Sequence, residues 1–98
     1  MKTIVINLPN RDDRLRSFNA NNPNLEYELF NAVEGHKIDY RKLREQGFDV
    51  NHDWIDPILN TPLTKGEVGC FLSHWNIWNK CIEKNESIIV LEDDAILT

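Results

Sequence analysis

No apolar run in this chain approaches the roughly 20 residues needed to span a bilayer, so the sequence offers no membrane span. The stretch Ile4-Val5-Ile6 behind Met1-Lys2-Thr3 is too short for the apolar region of a secretory signal and reads as a first strand. A cytoplasmic location is the resulting expectation. Positive charge is scarce as well: 11 Lys and Arg stand against 16 Asp and Glu, a net charge of −5. That balance argues against a general nucleic-acid binder, which presents a basic surface. Cysteine is limited to Cys70 and Cys81. Both fall in one predicted helix, where their Cα atoms would lie roughly 16 Å apart, too far to pair. Two reduced core thiols are expected, and a zinc site would call for more Cys or His at close spacing. The sequon Asn85-Glu86-Ser87 stands without a secretory signal and reads as accidental. Glycine is rare too, and none of the 4 lies in the loop after the first strand. Nucleotidyltransferases and dinucleotide binders put a Gly-rich phosphate loop there, so those classes lose ground.

What remains is a 98-residue chain, 41% apolar and 28% charged, suited to a single globular domain with one modest core over residues 1–98. Thr3 to Leu8 reads as the first strand, broken by Pro9-Asn10, with a short helix from Asp12 to about Asn19. After the turn cluster Asn21-Asn22-Pro23-Asn24, the alternation in Leu25-Glu26-Tyr27-Glu28-Leu29 predicts a half-buried strand with Leu25, Tyr27 and Leu29 inward, closed by Gly35. Asp39 is the expected N-cap of a helix to Gln46, with Gly47 just past its end. Phe48 to Leu63 reads as irregular, with a single turn around Trp54. Thr64-Lys65-Gly66-Glu67 fits a capping box that starts the longest helix, ending near Asn85. Val68, Phe71, Leu72, Trp75, Trp78 and Ile82 form its apolar face, with both tryptophans expected in the core. Ile88-Ile89-Val90-Leu91 then predicts a fully buried strand at the centre of a parallel sheet, so the fold class is α/β.

Three groups of residues could carry chemistry. Glu92-Asp93-Asp94 closes the last strand, and ligands of open α/β sheets bind outside the carboxyl ends of strands. Carboxylates there suit a hard divalent cation, Mg²⁺ or Mn²⁺, shared with a diphosphate. In an extended backbone Glu92 and Asp94 face one way and Asp93 the other, which makes Glu92 and Asp94 the expected metal-side pair. The competing reading is a solvated strand end that discourages edge pairing. Arg11 and Arg14, following Asn7, can share one side of a helix start and suit phosphate oxygens; alternatively they make surface salt bridges with Asp12 and Asp13. Gly66 and Gly69 in the first turn of a helix cost stability and make sense where a strand, ligand or loop comes close. Ser73 and His74 can bond across to the strand end, or simply pack, and as helix neighbours about 100° apart they do not suit a catalytic pair. His36 and His52 read as loop residues.

Taken together, these segments resemble glycosyltransferase family 25, the lipooligosaccharide and procollagen galactosyltransferase group. Ile4-Val5-Ile6-Asn7-Leu8 with Arg11 and Arg14 looks like its opening block, and Phe30-Asn31-Ala32-Val33-Glu34-Gly35 like the second, with Glu34 where Asp is common. Leu63 through His74, including Glu67 and Ser73, is close to its most distinctive stretch, and Val90-Leu91-Glu92-Asp93-Asp94-Ala95 resembles its acidic motif. The resemblance implies a Rossmann-like, GT-A-type nucleotide-binding half domain with a small, mostly parallel sheet flanked by helices. It implies Mn²⁺ or Mg²⁺ held by Glu92 and Asp94 against a UDP-sugar, with Asn7, Arg11, Arg14, Glu67, Ser73 and His74 on the nucleotide side. The family inverts at the sugar and needs a base for the acceptor hydroxyl, ordinarily supplied after the acidic motif. The expectation is therefore a minimal donor half that transfers sugar to a glycan or protein acceptor, or hydrolyses it off. The alternatives are a non-catalytic nucleotide-sugar-binding or assembly module and an interaction domain without ligand. An uncovered edge beside a central last strand would further predict a homo-oligomer.

Overall fold

The computed structural model describes residues 1–48 and 64–97, together with the backbone of 55–56 and 61–62. The single turn expected at Trp54, and with it His52 and Pro57, lies outside the described residues. The elements are β1 (Lys2–Asn7), α1 (Asp12–Asn21), β2 (Glu28–Asn31), a 3-10 turn (Gly35–Lys37), α2 (Tyr40–Glu45), β3 (Ile55–Asp56), β4 (Thr61–Pro62), α3 (Lys65–Lys84) and β5 (Ile88–Glu92). β2, β1 and β5 form a sheet in that order, with β1 parallel to both neighbours. The fold is therefore a small α/β, Rossmann-like half domain. β3 and β4 pair antiparallel within the stretch read from sequence as irregular.

The expected order within the sheet needs correction. The apolar run of β5 predicts a central strand, but β1 is central and β5 lies at the edge of the described sheet. β1 buries Ile4, Val5, Ile6 and Asn7 in succession, as a strand covered on both faces does. β5 is only partly covered: Ile88 and Val90 pack against Ile4, Ile6 and Ile77, whereas Ile89 is 44% exposed. A four-residue apolar run has the same periodicity in either place.

β2 is displaced as well. Pairing with β1 aligns Ile6 with Phe30, and Phe30, not Leu29, packs on the core while Leu29 stays exposed. Tyr27 does turn inward, its ring edge-on to Phe18 at 5.4 Å. Gly35 opens the 3-10 turn rather than closing the strand. α2 matches its sequence: the Asp39 carboxylate accepts from the Arg41 and Lys42 amides, and Gly47 adopts φ +99° past the end.

α3 starts at the predicted capping box of Thr64 and Glu67 and ends at Asn85 in the left-handed conformation. Its buried line is Val68, Gly69, Leu72, Ser73 and Ile77. The expected stripe is only partly realised: Trp75 and Trp78 are 37% and 48% exposed and Ile82 is exposed. The cause is the glycine. A Cβ on Gly69 would stand 2.6 Å from the Val33 carbonyl oxygen, and one on Gly35 2.5 Å from the Lys65 carbonyl oxygen. The helix seats its glycine side against the segment after β2, and that rotation turns the tryptophans outward. Trp75 keeps an edge-on contact with Phe48 at 5.2 Å.

Ser73 fixes the same junction. Its fully buried hydroxyl accepts from the Val33 amide at 2.9 Å and donates to the Gly69 carbonyl at 2.8 Å. Ser73→Ala leaves the Val33 amide without its partner and should cost about 1–3 kcal/mol. The check is a lower urea midpoint at unchanged m-value; an unchanged midpoint would deny the hydroxyl this role. Among the described residues, no helix is long and apolar enough to cross a membrane.

Candidate donor-binding crevice

The chain leaves β1 toward β2 on one side of the sheet and returns through α3 to β5 on the other. Between β1 and β5 the direction of strand addition reverses, and the carboxyl ends there are where ligands of such sheets bind. A crevice of about 290 Å³ opens at that point, lined in part by Ile6, Arg14, Val33, Cys70, Glu92 and Asp93. Ala32, Val33 and Gly35 form one wall, and Gly66 and Ser73 of α3 contribute to another.

A tight turn delivers the acids. The Ala95 amide donates to the Glu92 carbonyl at 3.1 Å, which puts Asp93 and Asp94 at the centre of a four-residue turn. Asn22 anchors the chain beyond it, donating to the Ala95 carbonyl and accepting from the Leu97 amide. Strand alternation thus stops at Glu92, and the expected pairing of Glu92 with Asp94 on one face does not form. Asp93 lines the crevice beside Glu92, whereas the Asp94 side chain is 68% exposed.

Asp93 is tied on both oxygens. One accepts from Asn7 Nδ2 at 2.9 Å, and the other meets the Arg14 guanidinium at 2.9 Å. Asn7 itself is buried behind the crevice and also donates to the Arg11 carbonyl. The two arginines part company. Arg11 takes the surface bridge to Asp13 at 3.0 Å and holds that carboxyl down at about 2, while Arg14 turns to the acids. Glu67 caps α3 and does not line the crevice. Of the residues expected to bind metal or nucleotide, the crevice wall collects Arg14, Ser73 and Glu92. His74 approaches Glu92 at 3.5 Å, while Asn7 lies behind and Arg11, Glu67 and Asp94 lie outside the lining.

Two lining residues carry no ligand role in the sequence reading, Asp93 and Cys70. Strand alternation would turn Asp93 away from Glu92, and the turn closed at Ala95 brings it to the crevice instead. Cys70 could have been found from its position four residues before His74, one turn apart on the same helix face. The expectation of a core thiol is also corrected: Cys70 is exposed and Cys81 half-buried, both free. The Cys70 thiol donates to Glu92 Oε1 at 3.1 Å, which holds the Glu92 carboxyl below its usual range, with His74 adding to the effect. Partial burial, and then Glu92, push the Cys70 thiol up to about 11. The thiolate is the nucleophile, so at pH 8 only about a thousandth of Cys70 is reactive. In metal-free buffer its alkylation, followed by peptide mass spectrometry, should rise about tenfold per pH unit through pH 10. A plateau at pH 9 would contradict this, and Glu92→Gln should speed the reaction.

The donor chemistry fits a hard divalent cation. Carboxylate oxygens are its preferred ligands; Glu92 lines the crevice, and Asp94 stands outside the lining, 3.9 Å from the Arg14 guanidinium.

The chain belongs to glycosyltransferase family 25: the family model described as "Glycosyltransferase family 25 (LPS biosynthesis protein)" matches residues 1–98. A glycosyltransferase 25 family member of Aedes aegypti is 41% identical over 92% of the chain. Procollagen galactosyltransferase 1-A of Xenopus laevis is 38% identical over 95% of it, and human procollagen galactosyltransferase 2 is 35% identical over 93%. The chain spans 15%, 16% and 15% of the length of these three relatives, respectively. No solved structure matches it.

Proposed function

We propose that this chain forms the donor-binding half of a GT-A-type glycosyltransferase that takes a UDP-sugar together with Mn²⁺ or Mg²⁺. The observation that carries this reading is the convergence of Arg14 with Glu92 and Asp93 on the crevice wall at the β1/β5 switch point, with Asp94 3.9 Å from the same guanidinium, in a member of family 25. Glu92 and Asp94 would hold the cation, and Arg14 would face the diphosphate, with Arg11 nearby at the start of α1. When bound, the cation supplies neutralisation of the charge that builds on the departing nucleoside diphosphate. Asp93 has a different task. It spends its two oxygens on Asn7 and Arg14 and so orients the guanidinium toward phosphate, for which its planar fork is suited. Gly66 and the wall of Ala32, Val33 and Gly35 keep backbone close to the space a nucleoside would occupy.

The names of the procollagen galactosyltransferases make UDP-galactose the first donor to try, with a glycan or protein as acceptor. Release of free UDP from UDP-galactose and UDP-glucose, followed over hours with and without Mn²⁺, tests catalysis. Metal-dependent release supports a transferase or hydrolase; binding without any release would leave a nucleotide-sugar-binding module instead. The outer edge of β5 has no partner strand among the described residues, and Ile89, Ile96 and Leu97 are exposed. These features support a homo-oligomer of the 98-residue chain, and light scattering that returned a monomer at micromolar concentration would remove that part of the reading.

A further inference from the structure

Cys70, His74 and Glu92 bring a thiol, an imidazole and a carboxylate together, with their ligand atoms all within 4.8 Å of one another. Cys70 and His74 lie one turn apart on α3, and Glu92 ends β5 opposite them. Sγ stands 3.1 Å and Nε2 3.5 Å from the same oxygen, Glu92 Oε1. Zinc binds thiolate at about 2.3 Å and imidazole or carboxylate at about 2.0–2.2 Å, so tetrahedral ligands lie roughly 3.2–3.7 Å apart. Two edges of the triangle are already near that spacing, and the third, Cys70 to His74, lies within 4.8 Å. The scarcity of Cys and His had argued against zinc from the sequence. The carboxylate from a distant strand supplies the donor that a count of those two residue types leaves out.

We infer that Cys70, His74 and Glu92 form a binding site for one thiophilic divalent cation of the zinc class, with its fourth coordination position open toward the crevice. Three protein ligands and an open position are the pattern of zinc sites that admit water or substrate. A sulfur ligand selects zinc over the hard ions that carboxylates favour. The other charged groups close to the triangle are already engaged: Arg14 with Asp93, and Asp93 with Asn7. Binding forms the metal–sulfur bond and releases the Cys70 proton to solvent, with no change in oxidation state. Glu92 belongs also to the hard-cation set proposed above. Zinc seated here would withdraw that ligand and oppose Mn²⁺ in the same crevice. The inference itself requires neither a nucleotide nor transferase activity.

Cobalt(II) is the probe, because a cobalt–thiolate bond absorbs in the near ultraviolet and carboxylate ligation does not. The metal-free 98-residue chain titrated with Co²⁺ should develop that band to one equivalent, release protons, and lose the band to an equimolar addition of Zn²⁺. Cys70→Ser should abolish the band and Cys81→Ser should retain it. His74→Ala and Glu92→Gln should each weaken Co²⁺ binding by about tenfold or more, since even residues behind the ligands of a metal site cost that much. No band, a band that survives Cys70→Ser, or one lost in Cys81→Ser would overturn the site. A Mn²⁺–UDP site on carboxylates would survive Cys70→Ser, so failure of either reading is seen separately.

Discussion

Gly69→Ala is expected to destabilise the fold by about 2–3 kcal/mol, while Gly66→Ala, three residues earlier in the same helix, should be neutral or slightly stabilising. Alanine is intrinsically better than glycine in a helix by up to about 1 kcal/mol, so propensity alone predicts a gain at both positions. At Gly66 the nearest atom to an added Cβ is Thr64 Oγ1 at 3.8 Å, and the gain can be realised. At Gly69 the added carbon would stand 2.6 Å from the Val33 carbonyl oxygen and 3.3 Å from the Gly35 amide nitrogen. Backbone atoms cannot step aside as a side-chain tip can. α3 would have to lift from the wall of the crevice, straining the Ser73 hydrogen bond to Val33. Urea unfolding of the two variants gives the comparison. Shifts of the same sign would mean that close packing at Gly69 does not set the position of α3.

The second large effect separates two neighbouring acids. Asp94→Ala should remove the Mn²⁺-dependent part of UDP binding, a loss of at least about tenfold, or about 1.4 kcal/mol, and leave stability nearly unchanged because the side chain is exposed. Asp93→Ala should instead cost stability, by about 2 kcal/mol, because Asn7 and Arg14 lose the acceptor they share. Arg14 retains some contact with water, which keeps the figure below that of a fully buried pair. Calorimetric titration and urea unfolding of both variants resolve the two roles. A full Mn²⁺ effect in Asp94→Ala would move the cation to other residues, and an unaltered unfolding midpoint in Asp93→Ala would deny it the positioning role.

Much of the local structure was legible in the chain because it depends on neighbours in sequence. The Thr64–Glu67 capping box, the Asp39 cap and the Gly47 turn are satisfied by residues within a few positions. Arg14, Gly66, Ser73 and Glu92, from three segments far apart in the chain, line one crevice. What escaped depends on partners far away. Whether Ile88–Leu91 is a central or an edge strand is decided by which strands join β1. Which side of α3 is buried is decided by backbone approaching Gly69, and no apolar moment registers a glycine. The choice of Asp93 over Asp94 follows from a turn closed at Ala95 and anchored by Asn22, more than 70 residues earlier. Cys70 reads as a core thiol in the sequence, because its neighbours His74 on the same helix and Glu92 across the sheet end come together only in the fold.

The most direct measurement is calorimetric titration of the 98-residue chain with UDP and with UDP-galactose, with and without Mn²⁺. A donor-binding half built on Arg14 and the Glu92–Asp94 turn predicts saturable binding at one site that Mn²⁺ strengthens and Asp94→Ala renders indifferent to metal. Absence of binding in both conditions would contradict it.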